Sequence, residues 1–358
     1  MIKADVGGLV GHSAMHPDVL DAGREALARA VQSGLLIDGH ASHCGDDLFL
    51  IMSHDRGEDD EAVHRLAWET FVVGTDVAKR LHLYGAGQDL LVDAFPGNVQ
   101  GAGPGSVELG LEERPSEPVV VFMAGGTAAG VFNLPLYKMF ADPFNTAGLV
   151  IAEPMHDGFS FEVHDVRASK KIMLATPAES YDLLSFIGSP SRYAVKRVVT
   201  RNGEVVAASS TDKISLIAGR HAGNDDPAAI VRCQGDFPVV GEVLEPFATA
   251  WTVEGAMRGS HYGPLMPVAL DQAQPSRFSG PPRVVALGFQ LAEGKLVGPR
   301  DMFDDSSFDN ARSEANQVAD YLRKHGPFEP HRLPLDEAES PAMPGVAAKL
   351  ASRWADLG

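Results

Sequence analysis

The chain has 358 residues, 44% of them hydrophobic and 22% charged, the composition of a soluble globular protein long enough to bury a large core. Its formal net charge of -18 is spread along the chain; such a field opposes nucleic acid and anionic membranes, so a phosphorylated ligand would need bound cations or a local Arg/Lys cluster. Cys44 and Cys233 lie far apart without CxxC spacing, which excludes a disulfide scaffold. Together with the lack of an apolar leader or any run of about 18 apolar residues, this implies a cytoplasmic protein that no membrane engages.

Taken in order, Ile2 to Val6 reads as a short strand ending at Asp5-Val6-Gly7-Gly8. Pro17 suits the first turn of a helix whose face is marked by Leu20, Leu27 and Val31 and which stops at Gly34. Leu35 to Gly39 reads as a second strand and Leu48 to Ser53 as a third. A long helix from about Asp59 to Leu81 carries Val63, Ala67, Phe71, Gly74, Ala78 and Leu81 at three- and four-residue intervals. It leads into Tyr84-Gly85-Ala86-Gly87-Gln88-Asp89, whose glycines fit neither the dinucleotide fingerprint nor the P-loop.

Phe95 to Gly105 reads as loop, Pro118 to Met123 as a strongly apolar strand, and Asn133 to Gly148 as irregular with a short helical turn. Further strands are expected at Phe159 to Val166, Lys171 to Ala175, Tyr193 to Thr200, Ala228 to Cys233, Arg283 to Phe289 and Lys295 to Gly298. Helices are expected at Ala178 to Gly188 and Ser307 to His325, with an extended Pro-rich tail from about 326 to Val346. No repeat or shift of composition divides the chain, and one α+β domain over 1–358 is the economical reading.

The chemistry concentrates where carboxylates meet strand ends. Ser42-His43-Cys44-Gly45-Asp46-Asp47 runs into the apolar Leu48-Phe49-Leu50-Ile51-Met52, and a strand covered on both faces cannot leave both aspartates idle. One reading is a Gly-Asp turn at a strand entrance, and the other is a hard-metal site. Asp5 with His12, Gln88 with Asp89, and Asp225 with Asp226 before the strand at Ala228 are the other candidate ligand segments. Carboxylate- and amide-rich sets without cysteine suit Mg²⁺, or alternatively Mn²⁺, more than zinc. Zinc on His12 and His16 at i,i+4 is opposed by Pro17, which puts the second histidine at a helix start.

The segments Asp5 through Gly11-His12, Gly45-Asp46-Asp47-Leu48, Gly85-Ala86-Gly87-Gln88-Asp89-Leu90-Leu91, Asn133-Leu134-Pro135-Leu136-Tyr137-Lys138 through Asn145-Thr146, Met257-Arg258-Gly259-Ser260-His261-Tyr262-Gly263-Pro264 and His325-Gly326-Pro327-Phe328 resemble the archaeal-type fructose-1,6-bisphosphate aldolase/phosphatase family along nearly the whole chain. The resemblance implies a single-domain four-layer α-β-β-α sandwich, a homo-octamer, several Mg²⁺ ions and a small phosphorylated sugar as substrate. It further implies metal ligation by Asp5, His12, Asp46, Asp47, Gln88, Asp225 and Asp226, and contact with the sugar phosphate by Tyr84, Gln234 and Arg258. A guanidinium such as Arg258 clamps phosphate bidentately.

Departures from the family pattern gather at the same segments. Where the family has Gly-Lys-Tyr-Val-Gly-Lys-Asp-Asp, this chain has Gly219-Arg220-His221-Ala222-Gly223-Asn224-Asp225-Asp226, so the imine-forming lysine is Asn224, whose amide is not nucleophilic. Gly125-Gly126 replaces an Asp-Lys pair, Ser279 an aspartate and Gln100 an arginine. The expectation is a Mg²⁺-dependent sugar phosphatase, with fructose 1,6-bisphosphate as a candidate substrate and no Schiff-base aldolase activity. His221 and Asp225 are its candidate catalytic residues, His221 as general acid or base or as a passive replacement. The alternatives are a metal-dependent isomerase, lyase or cyclase on a ketose phosphate, or a non-catalytic sugar-phosphate-binding paralogue.

Overall fold

The computed structural model of the protein describes residues 1–90, 103–209, 212–213, 226–257, 260–274, 280–324 and 343–357. The first half contains β1 (Ile2–Asp5), α1 (Pro17–Gln32), β2 (Asp38–Cys44), β3 (Asp47–Ser53), α2 (Glu61–Arg80), β4 (Gly105–Ser106), β5 (Glu117–Gly125), α3 (Asn133–Ala141), α4 (Gly148–Ile151), β6 (Phe159–Asp165) and β7 (Lys170–Ala175). The second contains α5 (Ser180–Ile187), β8 (Tyr193–Thr200), β9 (Val205–Ser209), β10 (Asp212–Lys213), β11 (Ala228–Arg232), α6 (Val240–Leu244), β12 (Thr252–Met257), β13 (Ser260–Pro264), β14 (Met266–Pro267), β15 (Arg283–Ala292), β16 (Lys295–Asp301), α7 (Asp309–Lys324), α8 (Met343–Leu350) and β17 (Ala355–Asp356).

Among the described residues the strands form a smaller sheet, β10-β4-β1-β3-β2, and a larger one, β14-β15-β5-β11-β9-β8-β6-β7-β17 with β16 on β15, besides the β12-β13 hairpin. The apolar run of β3 does not alternate with polar residues because both of its faces are covered. Leu48 and Leu50 pack with Val19 and Leu27 of α1 and Phe71 and Ala78 of α2. Phe49 and Ile51 face the other way, against Val121 and Met123 of β5 and Val285 and Leu287 of β15. β5 divides likewise: Val120 and Phe122 turn to a third cluster with Phe140 of α3, Phe186 of α5 and Val243 of α6.

Helix ends follow local chemistry. Asp60 caps α2 by accepting from the Ala62 and Val63 amides at 3.0 Å each, and α1 closes at Gly34, where φ is 74°. Three expectations need correction. The second strand spans Asp38–Cys44 rather than Leu35 to Gly39, because its antiparallel register pairs Asp38 with Ser53 and Cys44 with Asp47. Asn133–Ala141 is an α-helix, since Pro135 falls in its first turns, where a missing amide is tolerated, and Leu136, Met139 and Phe140 share a buried face. The tail turns helical at Met343–Leu350, within the stretch expected to be extended, while 325–342 lies outside the described residues. Among the described residues no helix is long and apolar enough to cross a membrane.

Candidate active site

One wall of a cavity of about 260 Å³ is built by the smaller sheet. The antiparallel register sets Asp5 of β1 opposite Asp47 of β3, so both carboxylates leave the same face. Lys3, two residues earlier on that face and only 2% exposed, reaches Asp47 Oδ1 at 3.1 Å and Asp89 Oδ2 at 3.8 Å. The two-residue turn between β2 and β3, with Gly45 at φ 64°, delivers Asp46 beside them. A Cβ on Gly8 would stand 2.3 Å from that of Asp46, so only glycine lets the first loop pass.

His12 closes over this group from a loop position with φ 59°. Its Nδ1 lies 2.7 Å from Asp46 Oδ2 and 3.3 Å from Asp5 Oδ2, and its ring meets Tyr84 edge-on at 4.7 Å. Gly85 makes the room, since a Cβ there would fall 2.7 Å from the imidazole. Ligand atoms of Asp5, His12 and Asp46 all lie within 4.8 Å of one another. Gln88 lines the same cavity.

The larger sheet supplies the rest of the wall: Gly125 and Gly126 at the end of β5, Asp226 just before β11, and Arg283 at the start of β15. Asp226, at φ 44°, is fixed by its amide donating to the Thr127 carbonyl at 2.9 Å and its Oδ1 accepting from the Thr127 amide at 2.6 Å. The cavity therefore opens where strand ends of both sheets converge.

Burial, aided by the neighbouring Asp46 charge, lifts the Asp5 carboxyl to about 7. Burial also raises Asp47 well above the carboxylate range, the Lys3 ammonium only partly opposing it. For His12 burial works against the charged form, yet hydrogen bonds to Asp46 and Asp5 outweigh it and raise the imidazole to about 11. The imidazolium thus stands where the carboxylates call for a cation. Four carboxylates, an amide and one imidazole form an oxygen-rich donor set that fits a hard dication, for which His12 would first give up its proton.

Asp5, His12, Asp46, Asp47, Gln88 and Asp226, read separately from the sequence, come together in this cavity. Asp89 does not join them: it is buried behind Asp5, accepting from the Asp5 amide at 2.9 Å and the Gly103 amide at 3.3 Å. His16 accepts from the Asp18 amide as the cap of α1, which removes the zinc pairing with His12. Gln234 is not among the described residues that line this cavity. A strand rise of about 3.3 Å per residue carries it to the far end of β11 from Asp226, where Arg114 Nη1 donates to its carbonyl at 2.8 Å. Tyr84 stands outside the lining, half exposed against His12. Gln100, His221, Asn224, Asp225, Arg258 and Ser279 lie outside the described residues. Lys3 and Arg283 were missed: neither belongs to a motif, and only strand register brings them to the site.

The fold and site define a class: a mixed α/β protein with a carboxylate-rich cavity at the junction of two sheets. The chain belongs to the fructose-1,6-bisphosphatase family, whose sequence profile matches residues 1–355. It is 58% identical over 355 residues to the fructose-1,6-bisphosphate aldolase/phosphatase of Moorella thermoacetica, covering 99% of this chain and 93% of the relative. It is 55% identical over 358 residues to the protein of the same name from Methanothermobacter marburgensis, covering 100% and 98%, and 56% identical over 354 residues to that of Ignicoccus hospitalis, covering 99% and 92%.

Proposed function

We propose that the chain is a Mg²⁺-dependent phosphatase of a small sugar phosphate, fructose 1,6-bisphosphate first among them, that lacks the Schiff-base aldol step. The observation that carries this reading is the convergence of Asp5, His12 and Asp46 within 4.8 Å, in one cavity with Asp47, Gln88 and Asp226, in a chain of this family. Asp5, Asp46, Asp47 and Asp226, with His12 and Gln88, would hold the cations. Bound there, Mg²⁺ supplies an acidified water and neutralises charge on phosphate oxygens.

The remaining work falls to the chain. Lys3 keeps Asp47 facing the cavity, and Asp89 tethers the Asp5 backbone, so the donors are arranged before any ligand arrives. His12 passes its proton out as the site loads, with Tyr84 packed on its ring. Asp225, Arg258 and His221 retain their proposed parts as metal ligand, phosphate clamp and acid or base. Asn224 offers no amine for an imine with a ketone, which is the ground for excluding the aldol step. We also infer one domain over 1–358, a four-layer α-β-β-α sandwich supported by the three apolar clusters, an octameric assembly and a cytoplasmic setting.

Gly125 and Gly126, which offer no side chain to the cavity, favour a second reading as a sugar-phosphate-binding paralogue. Phosphate release from fructose 1,6-bisphosphate separates the two. Release with Mg²⁺ that excess chelator abolishes supports the phosphatase. Metal-loaded protein that binds the sugar phosphate and releases nothing supports the paralogue.

A further inference from the structure

Arg283 and Gly125 are direct partners across the β5-β15 ladder, so their side-chain directions share a face, and both line the cavity. Residue 125 contributes no atoms beyond its backbone, and a Cβ there would already stand 3.1 Å from Cys44 Sγ. Gly126, with φ 75°, likewise projects nothing. Nothing from the end of β5 therefore covers the guanidinium. Arg283 is the one guanidinium or ammonium among the described residues that line the cavity.

Its fork is incompletely used. Nη1 donates to the Gln272 carbonyl, whereas Nε is buried with no hydrogen-bond partner, and no carboxylate pairs with it among the described residues. A part-buried guanidinium without an anion is costly, and a phosphate group offers what it lacks: two oxygen acceptors spaced to match the planar fork.

We infer that Arg283 is a direct anion anchor of this pocket, holding a phosphate group of the ligand at the Gly125-Gly126 corner without an intervening cation. The inference rests on reading the pocket as a site for phosphorylated ligands, and it adds the side chain that grips the phosphate. It divides the cavity into an acidic side that takes cations and a basic corner that takes the anion.

Inorganic phosphate is the probe. Its binding to the full-length protein is measured by calorimetry in excess chelator and again with Mg²⁺, for the wild type and for Arg283→Gln, Arg283→Lys and Gly125→Asp. The chelated wild type is expected to bind phosphate, and Arg283→Gln to bind at least tenfold more weakly. Arg283→Lys should fall between them, and Gly125→Asp should weaken binding because its carboxylate occupies the guanidinium. A folded Arg283→Gln protein with wild-type phosphate affinity overturns the inference, as does a chelated wild type that binds none. Should Arg283→Gln fail to fold, unchanged affinity in Gly125→Asp overturns it. Arg283-dependent phosphate binding in a protein that hydrolyses no sugar phosphate sinks the phosphatase reading and keeps the anchor. Hydrolysis with a KM indifferent to Arg283→Lys and Gly125→Asp does the reverse.

Discussion

Replacing Asp5 by asparagine should stabilise the metal-free protein while removing its response to metal. Asp5 is 9% exposed, and burial beside Asp46 lifts its carboxyl from 3.8 to about 7. A difference of this size corresponds to about 4 kcal/mol by which ionising Asp5 disfavours the folded state at pH 8. Asparagine abolishes that penalty and can still accept from the Gly7 amide, now 3.0 Å from Asp5 Oδ1. The contact with His12 at 3.3 Å opposes the rise, and the penalty of about 4 kcal/mol is already net of it. The net gain is at most about 4 kcal/mol, a rise of roughly 5 °C in the thermal midpoint of a chain this long.

The folded pKa lies above the unfolded one, so the penalty is complete above pH 7 and disappears as pH falls from 7 to 3.8. Thermal unfolding of Asp5→Asn and wild type in excess chelator, at pH 8 and pH 4, reads both limits. The variant should be the more stable at pH 8, and the gap should shrink or invert at pH 4. Added Mg²⁺ should raise the wild-type midpoint and leave that of Asp5→Asn nearly still. A variant less stable at pH 8 in chelator, or a gap equal at the two pH values, would refute the picture of an uncompensated acid cluster.

Other positions test other parts of the argument. Gly8→Ala forces a Cβ to within 2.3 Å of that of Asp46; it should lower stability by about 1–3 kcal/mol and weaken Mg²⁺ binding, both followed by chemical denaturation with and without the ion. Glu117, fully buried, accepts from Arg232 Nε at 2.9 Å and Nη2 at 2.6 Å and is held down at about 2 from its usual 4.5. Its stabilisation is complete above pH 4.5 and is lost as pH falls through 2; Glu117→Gln should cost about 3–5 kcal/mol near neutrality and flatten the acid limb of a stability-pH curve. Borohydride treatment with dihydroxyacetone phosphate should leave the protein mass unchanged, because Asn224 cannot form an imine; a trapped lysine adduct would restore the aldol step.

The long helix over Glu61–Arg80 and the apolar strands β3 and β5 were legible because periodicity and composition are local properties; Val63, Ala67, Phe71, Gly74 and Ala78 are buried as the spacing implies, whereas Leu81 falls past the helix end and is exposed. Asp46-Asp47 at a strand entrance announced the site, since adjacent carboxylates before a buried run need a compensating partner. Asn133–Ala141 was misread because Pro135 looks like a breaker when its place in the first turns is unknown. The second strand was displaced because residues 38–44 carry polar side chains such as His40 and His43, and their pairing with β3 comes from register rather than from hydrophobicity.

What the sequence by itself determined is the inventory: which segments bury both faces, which donors lie at strand ends, and that Asn224, Gly125 and Gly126 bear no amine or carboxylate. Only the tertiary structure decided which of those donors meet. Strand register sets Asp5 against Asp47 and Arg283 against Gly125; the short helical turn Gln88–Leu90 holds Asp89 behind the site, and Gln234 lies beyond the far end of β11. The reason is physical. A pleated strand repeats every two residues whatever its partner, so facing is a local property, whereas the partner in space follows from pairing between segments far apart in the chain.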